Sequence, residues 1–163
     1  MPFLSEADQD QLRSIFTEQM DRRVRLRVLT RPPSQLYVPG QPLCASCGEA
    51  EPFVRGLATL SDKLEVVVHD VQADPALAEQ YHVGKLLPAI LIEPVAPEGA
   101  AADPAPSQGT VRFLGLPAGY EFSTLVADIV DVSTGKLGLS EATQVELRGL
   151  EQDLHLQVFV TPT

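Results

Sequence analysis

The sequence predicts an α/β fold in which helices flank a central mixed β-sheet. Short apolar runs, typical of buried strands, alternate along the chain with amphipathic stretches at helical spacing. The chain has 163 residues, of which 44% are apolar and 21% charged, so it can bury a real core without disulfides or metals. This length fits one domain, or one domain plus a fragment of another.

Local signals place the elements in order. The first helix opens at Ser5, a favourable N-cap residue, and a later helix opens with Asp74 as N-cap and Pro75 as its first residue. The apolar face of the first helix consists of Leu12, Ile15, Phe16 and Met20. The predicted strands are residues 24–28, 64–70, 89–92 and 110–114, and two further helices are predicted from residue 45 onward and over 122–132. Residues 93–109, rich in Ala, Pro and Gly, are predicted as a long exposed loop.

A repeat links the two ends of the chain. Residues 4–13 and 139–148 are identical at seven of ten positions, and each copy begins with a serine suited to cap a helix. An alternating apolar stretch that predicts a strand comes after each copy, at residues 24–28 and 154–160. The likeness favours an internal duplication over two unrelated helix–strand pairs.

The charge balance excludes several classes of partner. The chain carries 12 basic and 22 acidic residues, a net charge of −10, which disfavours binding to nucleic acid or to anionic membrane surfaces. No apolar run approaches the roughly 20 residues that span a bilayer. The first residues show no basic stretch followed by an apolar one, so we expect no secretory signal and a cytoplasmic location.

Cys44 and Cys47 are the only cysteines, and their C-x-x-C spacing indicates either a dithiol redox centre or half of a zinc site. Zinc normally takes four Cys or His ligands, and the three histidines at 69, 82 and 155 are scattered. A structural disulfide is the weakest interpretation, because so short a loop removes little chain entropy. The spacing therefore favours redox chemistry, with no metal and no bound cofactor.

The predicted helix assigns a role to each cysteine. Its apolar stripe consists of Phe53, Val54, Leu57 and Leu60. Cys44 would lie at its N-terminus, where backbone N–H groups and the helix dipole favour a thiolate. We expect Cys44 to attack a substrate disulfide and Cys47, one turn further in and more buried, to resolve the mixed disulfide.

Leu87 and Pro88 are the candidate substrate-binding residues. Pro88 begins a strand that otherwise has the pattern of a central strand, and it cannot donate to a ladder. A cis Leu87–Pro88 bond would bring this backbone against the dithiol and leave an extended edge for a substrate peptide.

These residues together resemble the thioredoxin fold, in which Pro52 matches the proline that kinks the active-site helix. Residues 115–122, 128–133 and 158–163 more specifically resemble the protein disulfide oxidoreductases of archaea and thermophilic bacteria. Those are glutaredoxin-like proteins with two fused thioredoxin-fold units, and the N-terminal domain of the alkyl hydroperoxide reductase flavoprotein is a relative. The resemblance implies a thiol–disulfide oxidoreductase that acts on protein disulfides through Cys44 and Cys47 and is reset by a reductase or a thiol pool.

The chain departs from that family in three places. In the family, a Cys-Pro-Tyr-Cys motif comes after the sequence that matches residues 158–163, and here it does not. We therefore expect residues 1–135 to form one thioredoxin-fold unit and residues 136–163 to be the helix and strand that open an incomplete second unit. The loop 31–43 is longer and richer in proline than the family's. The Ala45-Ser46 pair offers neither a His nor an aromatic residue, which predicts a reducing rather than an oxidising centre.

The sequence leaves two functions open. The first is the enzyme just described, and the alternative is a non-catalytic scaffold or docking unit whose active partner unit is missing. The repeated tail bears on both, because an exposed apolar strand invites association. We expect the strand at 154–160 either to join this unit's sheet or to pair with a second chain, in a homodimer formed through residues 139–163.

Overall fold

The computed structural model describes residues 4–32, 44–96, 111–136, 138–152 and 154–159. The elements, in chain order, are α1 (Glu6–Gln19), β1 (Val24–Thr30), α2 (Cys47–Ala58), β2 (Leu64–Asp70), α3 (Pro75–Gln80), β3 (Ala89–Pro94), β4 (Val111–Leu114), α4 (Tyr120–Thr134) and α5 (Glu141–Arg148). This order confirms the predicted alternation of helices and strands. Of the two predicted loops, 31–43 and 93–109, most residues lie outside the described part of the chain.

The four strands form one mixed sheet in the order β2-β1-β3-β4. β1 runs parallel to β2 and antiparallel to β3, and β3 runs antiparallel to β4. The helices α1, α2 and α4 cover one face, and their buried apolar side chains pack on alternate positions of β1 and β3. The short α3 and the chain after it cover the other face around Leu29, Tyr81, Val83, Ala89 and Leu91. The predicted fold class is confirmed.

The helix α1 shows why the N-terminal signal works. The Ser5 hydroxyl accepts a bond from the Asp8 backbone N–H at 3.2 Å, and the Asp8 carboxylate accepts one from the Ser5 backbone N–H at 3.2 Å, a complete capping box. Leu12 and Phe16 then face the core and are buried. Met20 at the C-cap is buried beside them, so the predicted apolar face is confirmed.

The end of α4 is fastened to the turn before β1. The buried Ser133 hydroxyl accepts a hydrogen bond from the Arg22 backbone N–H at 2.9 Å and donates one to the Arg22 carbonyl at 2.6 Å. The Arg22 Nε atom donates to the Ser133 carbonyl at 3.1 Å. These bonds join residues far apart in the sequence and fix where the chain leaves α4.

The second copy of the repeat differs from its prediction. α5 forms, and the Ser140 hydroxyl accepts from the Thr143 N–H at 3.2 Å as a cap. Yet α5 buries no residue, and residues 154–159 pair with no described strand. The expectation that this stretch joins the sheet of its own chain is therefore wrong for the described residues. Alternation produces a strand only where a ladder partner is present; pairing with a second chain stays a prediction.

Candidate active site

Cys44 and Cys47 are joined by a disulfide, with their Cα atoms 5.4 Å apart. Cys47 is 3% exposed, whereas Cys44 is half-buried. Cys47 is therefore the more buried of the two cysteines, as the sequence predicted. The assignment of Cys44 as the attacking and Cys47 as the resolving residue stays a prediction.

The helix that carries the cysteines begins later than the sequence predicts. Residues 45 and 46 form a turn, Ser46 is the N-cap, and Cys47 is the first helical residue. The Ser46 carbonyl is the first to accept a helical bond, from the Ala50 N–H at 3.2 Å. The positive end of the helix dipole thus lies at Cys47, with Cys44 just before it across the disulfide. Ser46 is a residue type favoured at an N-cap, and it was the sequence signal for this boundary.

Thr30 is a site residue that the sequence reasoning missed. The last residue of β1, it is 7% exposed, and its hydroxyl donates to the Cys47 carbonyl at 3.0 Å. This bond ties the first turn of α2 to the central strand. A hydroxyl-bearing β-branched residue at the end of an apolar strand, close before the cysteine loop, was the available signal.

Pro88 comes to the same end of the sheet. Leu29 pairs with Ala89, so continuing the antiparallel register by one residue sets Pro88 opposite Thr30. The Leu87–Pro88 peptide bond is cis, and the Pro88 carbonyl accepts from the Gly115 N–H at 2.7 Å. Gly115 has φ of +118°, a conformation that favours glycine. Pro88 and Cys47 therefore lie at the same end of β1, the one by strand register and the other through the bond to Thr30.

Other polar and aromatic residues on the elements around the cysteine helix are exposed or have structural contacts. Glu49 is exposed on the first turn of α2, and an Asp70 carboxylate oxygen accepts from the Gln72 N–H at 2.8 Å, which caps a turn. Tyr81 packs in the core, while His82 is exposed. Burial, and next the charge of Arg27, lower the pKa of His69 below its ordinary value.

Two further properties of the described residues bear on function. They contain no group of three or more His, Cys, Asp or Glu side chains placed to hold a metal ion. Within the same residues, no helix is both long enough and apolar enough to cross a bilayer.

A mixed sheet with a cysteine helix after its central strand and a cis-proline before the next antiparallel strand defines a thioredoxin-like fold with a C-x-x-C disulfide. No protein-family model matches the sequence, and no curated protein matches it. Solved structures do resemble the chain, among them the following three.

One is the NTD_N/C domain of alkylhydroperoxide reductase AhpF from Enterococcus faecalis, with a TM-score of 0.68 and 19% identity over 89% of this chain and 60% of that one. Another is a protein disulfide oxidoreductase from Aeropyrum pernix, with a TM-score of 0.66 and 23% identity over 90% of this chain and 55% of that one. The C503A mutant of the Enterococcus faecalis reductase gives a TM-score of 0.69 at 20% identity, over 91% of this chain and 61% of that one.

The resemblance drawn from the sequence motifs is thereby confirmed at the level of the fold. The chain spans less than two thirds of the length of each of these neighbours. The names of these neighbours describe a reductase and a disulfide oxidoreductase, and the likeness to them concerns the fold.

Proposed function

We propose that the protein is a thiol–disulfide oxidoreductase that acts on protein disulfides through Cys44 and Cys47. The observation that carries the proposal is the disulfide at the start of α2, with one cysteine half-buried and the other almost fully buried. A pair with this asymmetry has one sulfur for exchange with a substrate and one for resolution. The proposed chemistry uses only these two sulfurs and calls for no bound cofactor.

The reaction moves two electrons from the protein to the substrate. The Cys44 thiolate attacks one sulfur of the substrate disulfide and expels the other as a thiolate, which forms a mixed disulfide. The Cys47 thiolate then attacks the Cys44 sulfur and releases the second substrate thiol. The substrate disulfide is reduced, and Cys44–Cys47 is oxidised to the form seen here. A reductase or a thiol pool returns the pair to the dithiol.

The substrate peptide is proposed to lie along Leu87 and Pro88. Pro88 is opposite Thr30, and the Thr30 hydroxyl bonds to Cys47. A substrate segment that contacts Leu87 and Pro88 would therefore pass close to the disulfide. Leu86 and Leu114 are 60% and 50% exposed beside this edge and offer it an apolar rim. Such a rim suits unfolded or flexible protein segments, which present apolar side chains with an extended backbone.

Reduction of insulin disulfides by the protein and a thiol reductant tests the proposal. The wild type is expected to accelerate insulin precipitation, and Cys44→Ser is expected to abolish the acceleration. Reduced Cys47→Ser mixed with insulin in the absence of the thiol reductant should instead accumulate a mixed disulfide visible by mass spectrometry, because the protein has no second thiol to resolve it. Equal rates for wild type and Cys44→Ser would overturn the enzyme and leave the scaffold or docking unit as the function.

The redox potential gives a second test. Without a His between the cysteines, Cys44 lacks a charged neighbour in the motif that would stabilise its thiolate, so the centre should be reducing. Equilibration over a glutathione series, followed by mass, measures the potential. A value near the roughly −120 mV of strong oxidants would contradict the expected direction. A role in cytoplasmic redox homeostasis stays a prediction.

We also propose that residues 1–135 form the catalytic unit and that residues 136–163, the opening of a second unit, join two copies of the chain. Eight large apolar side chains in the described part of this segment are 45–90% exposed, far more than a stable surface leaves in one place. They are Leu139, Val145, Leu147, Leu150, Leu154, Leu156, Val158 and Phe159. Sedimentation equilibrium should show a dimer that Leu156→Ser weakens, whereas Leu86→Ser, an exposed leucine elsewhere, leaves it intact. A monomer at all concentrations would end this proposal.

A further inference from the structure

A buried charged cluster lies on the face of the sheet that α3 covers. Arg27, in the middle of β1, is only 9% exposed. Its Nε and Nη2 atoms donate to the Glu93 carboxylate at 3.0–3.2 Å, and its Nη1 atom donates to the His69 Nε2 atom at 2.6 Å. Because an arginine only donates, His69 Nε2 accepts and the ring is neutral. The cluster thus holds the Arg27 guanidinium in one orientation.

The Arg27 guanidinium, held in this orientation, covers the ring of Tyr81. The guanidinium carbon lies 4.9 Å from the centroid of the Tyr81 ring, a cation–π contact between two buried groups. From β4, the Arg112 Nε atom donates to the Tyr81 carbonyl at 2.8 Å. Two arginines on two strands therefore hold the same residue, one by its ring and the other by its backbone.

Tyr81 is the first residue of the loop 81–88, which ends at the proposed substrate edge. Val83 N–H donates to the Ala78 carbonyl at 3.0 Å, and Leu86 N–H donates to the Val83 carbonyl at 3.1 Å, so the loop is a chain of short turns. α3 itself buries no residue, whereas Tyr81 and Val83 are buried and Leu87 packs against their cluster. The position of the loop therefore depends on Tyr81 and Val83 more than on α3.

We propose that Arg27 and Arg112 are positioning residues that hold Tyr81 and so set the edge formed by Leu87 and Pro88 for a protein substrate. Neither side chain bonds to a cysteine in the described structure, so they act on docking rather than on the sulfur chemistry. The inference rests on the proposed function. It predicts that loosening Tyr81 weakens binding of large substrates and leaves the dithiol unchanged.

The test compares Arg27→Lys with Arg25→Lys. Arg25 lies two residues away on the same face of β1 and is similarly buried, with an ion pair to Glu65. Lysine keeps the charge at both positions but loses the planar fork and its stacking. For Arg27→Lys we expect KM for insulin to rise about tenfold with kcat unchanged. Arg25→Lys is expected to keep the wild-type KM, and both variants should keep the wild-type redox potential and rate with a small aromatic disulfide.

Arg112→Met gives an independent arm in case Arg27→Lys does not fold. It removes the bond to the Tyr81 carbonyl from a strand at the edge of the sheet, and should raise KM in the same way. If wild type and Cys44→Ser reduce insulin equally, the proposed function and this inference both fail. If the wild type is active but the folded Arg27 and Arg112 variants share its KM, the inference alone fails. A shift in redox potential large enough to account for the lost activity would also overturn the inference, because the effect would then lie at the dithiol.

Discussion

The two copies of the repeat both form helices, but the helices differ in length and in burial. α1 runs for 14 residues and buries Leu12 and Phe16, whereas α5 runs for 8 residues and buries none. Both begin at a serine whose hydroxyl accepts a backbone bond three residues on, Ser5 from Asp8 and Ser140 from Thr143. The shared residues therefore set where each helix begins. The length and the burial of each helix depend on the residues beyond the shared ten.

Beyond the repeat, the two copies differ at the positions that matter for packing. With an offset of 135 residues, the buried Phe16 and Met20 correspond to Glu151 and His155. Ser14 within α1 corresponds to Gly149, which is the C-cap of α5. A poor helix former and two polar residues replace the second half of the apolar stripe, so α5 stops where α1 continues.

The largest expected contrast between the copies is in their apolar side chains. Phe16→Ala should lower the free energy of unfolding by about 3–5 kcal/mol, because it leaves a cavity among α1, β1 and α4. Leu147→Ala, at the position equivalent to the buried Leu12, should change it by less than about 0.5 kcal/mol. Urea unfolding at low protein concentration, where association is negligible, measures both. Equal losses of unfolding free energy in the two variants would mean that α5 is packed against the core in solution.

Ser133 marks the boundary between the packed unit and the second copy. Ser133→Ala removes both of its hydrogen bonds to the Arg22 backbone and leaves buried polar groups unpaired, which should cost about 1–3 kcal/mol. Ser123→Ala is the matched control, because that hydroxyl is exposed and bonds only within the first turn of α4. Thermal and urea unfolding compare the two, and a cost no greater than the control's would show that the end of α4 is not a structural anchor.

The caps give a smaller contrast. Ser5→Ala should destabilise the whole protein by about 1 kcal/mol, because α1 unfolds with the core. Ser140→Ala should leave global unfolding unchanged and only speed amide hydrogen exchange in α5, which no core residue supports. A fall in global stability from Ser140→Ala would indicate that both helices belong to one cooperative unit.

The smallest expected effect is a pH dependence carried by the packed unit. Burial and Arg27 lower the pKa of folded His69 below 6.5, so above that pH both folded and unfolded states are neutral. As pH falls below about 6.5 the unfolded state takes up a proton first, and stability decreases toward the folded pKa. His69→Gln should flatten this part of the profile, while His155→Gln, in the exposed second copy, should leave it as in the wild type. The test is the midpoint of unfolding, measured between pH 5 and 8 for each protein. The same dependence of the midpoint on pH in both variants would contradict the assignment to His69.

The parts of the molecule that the sequence could predict are those with short-range signals. Serine caps, the Asp74-Pro75 helix start and the C-x-x-C spacing each depend on a few neighbouring residues. The Arg27 cluster was out of reach, because Glu93 and His69 are 66 and 42 positions away and only strand register brings them together. Residues 154–159 pair with no strand in the described part of the chain, because alternation alone supplies no ladder partner, and their pairing with a second chain stays a prediction.

The bonds between Ser133 and Arg22 also decide where the second copy departs from the unit. Arg22 precedes the first residue of β1, whereas Thr30 at the far end of the same strand holds Cys47. Seven residues of extended chain separate the two ends by about 20 Å. A partner bound at the exit of α4 and a substrate disulfide bound at Cys44 would therefore lie at opposite ends of β1 and would not compete for the same residues.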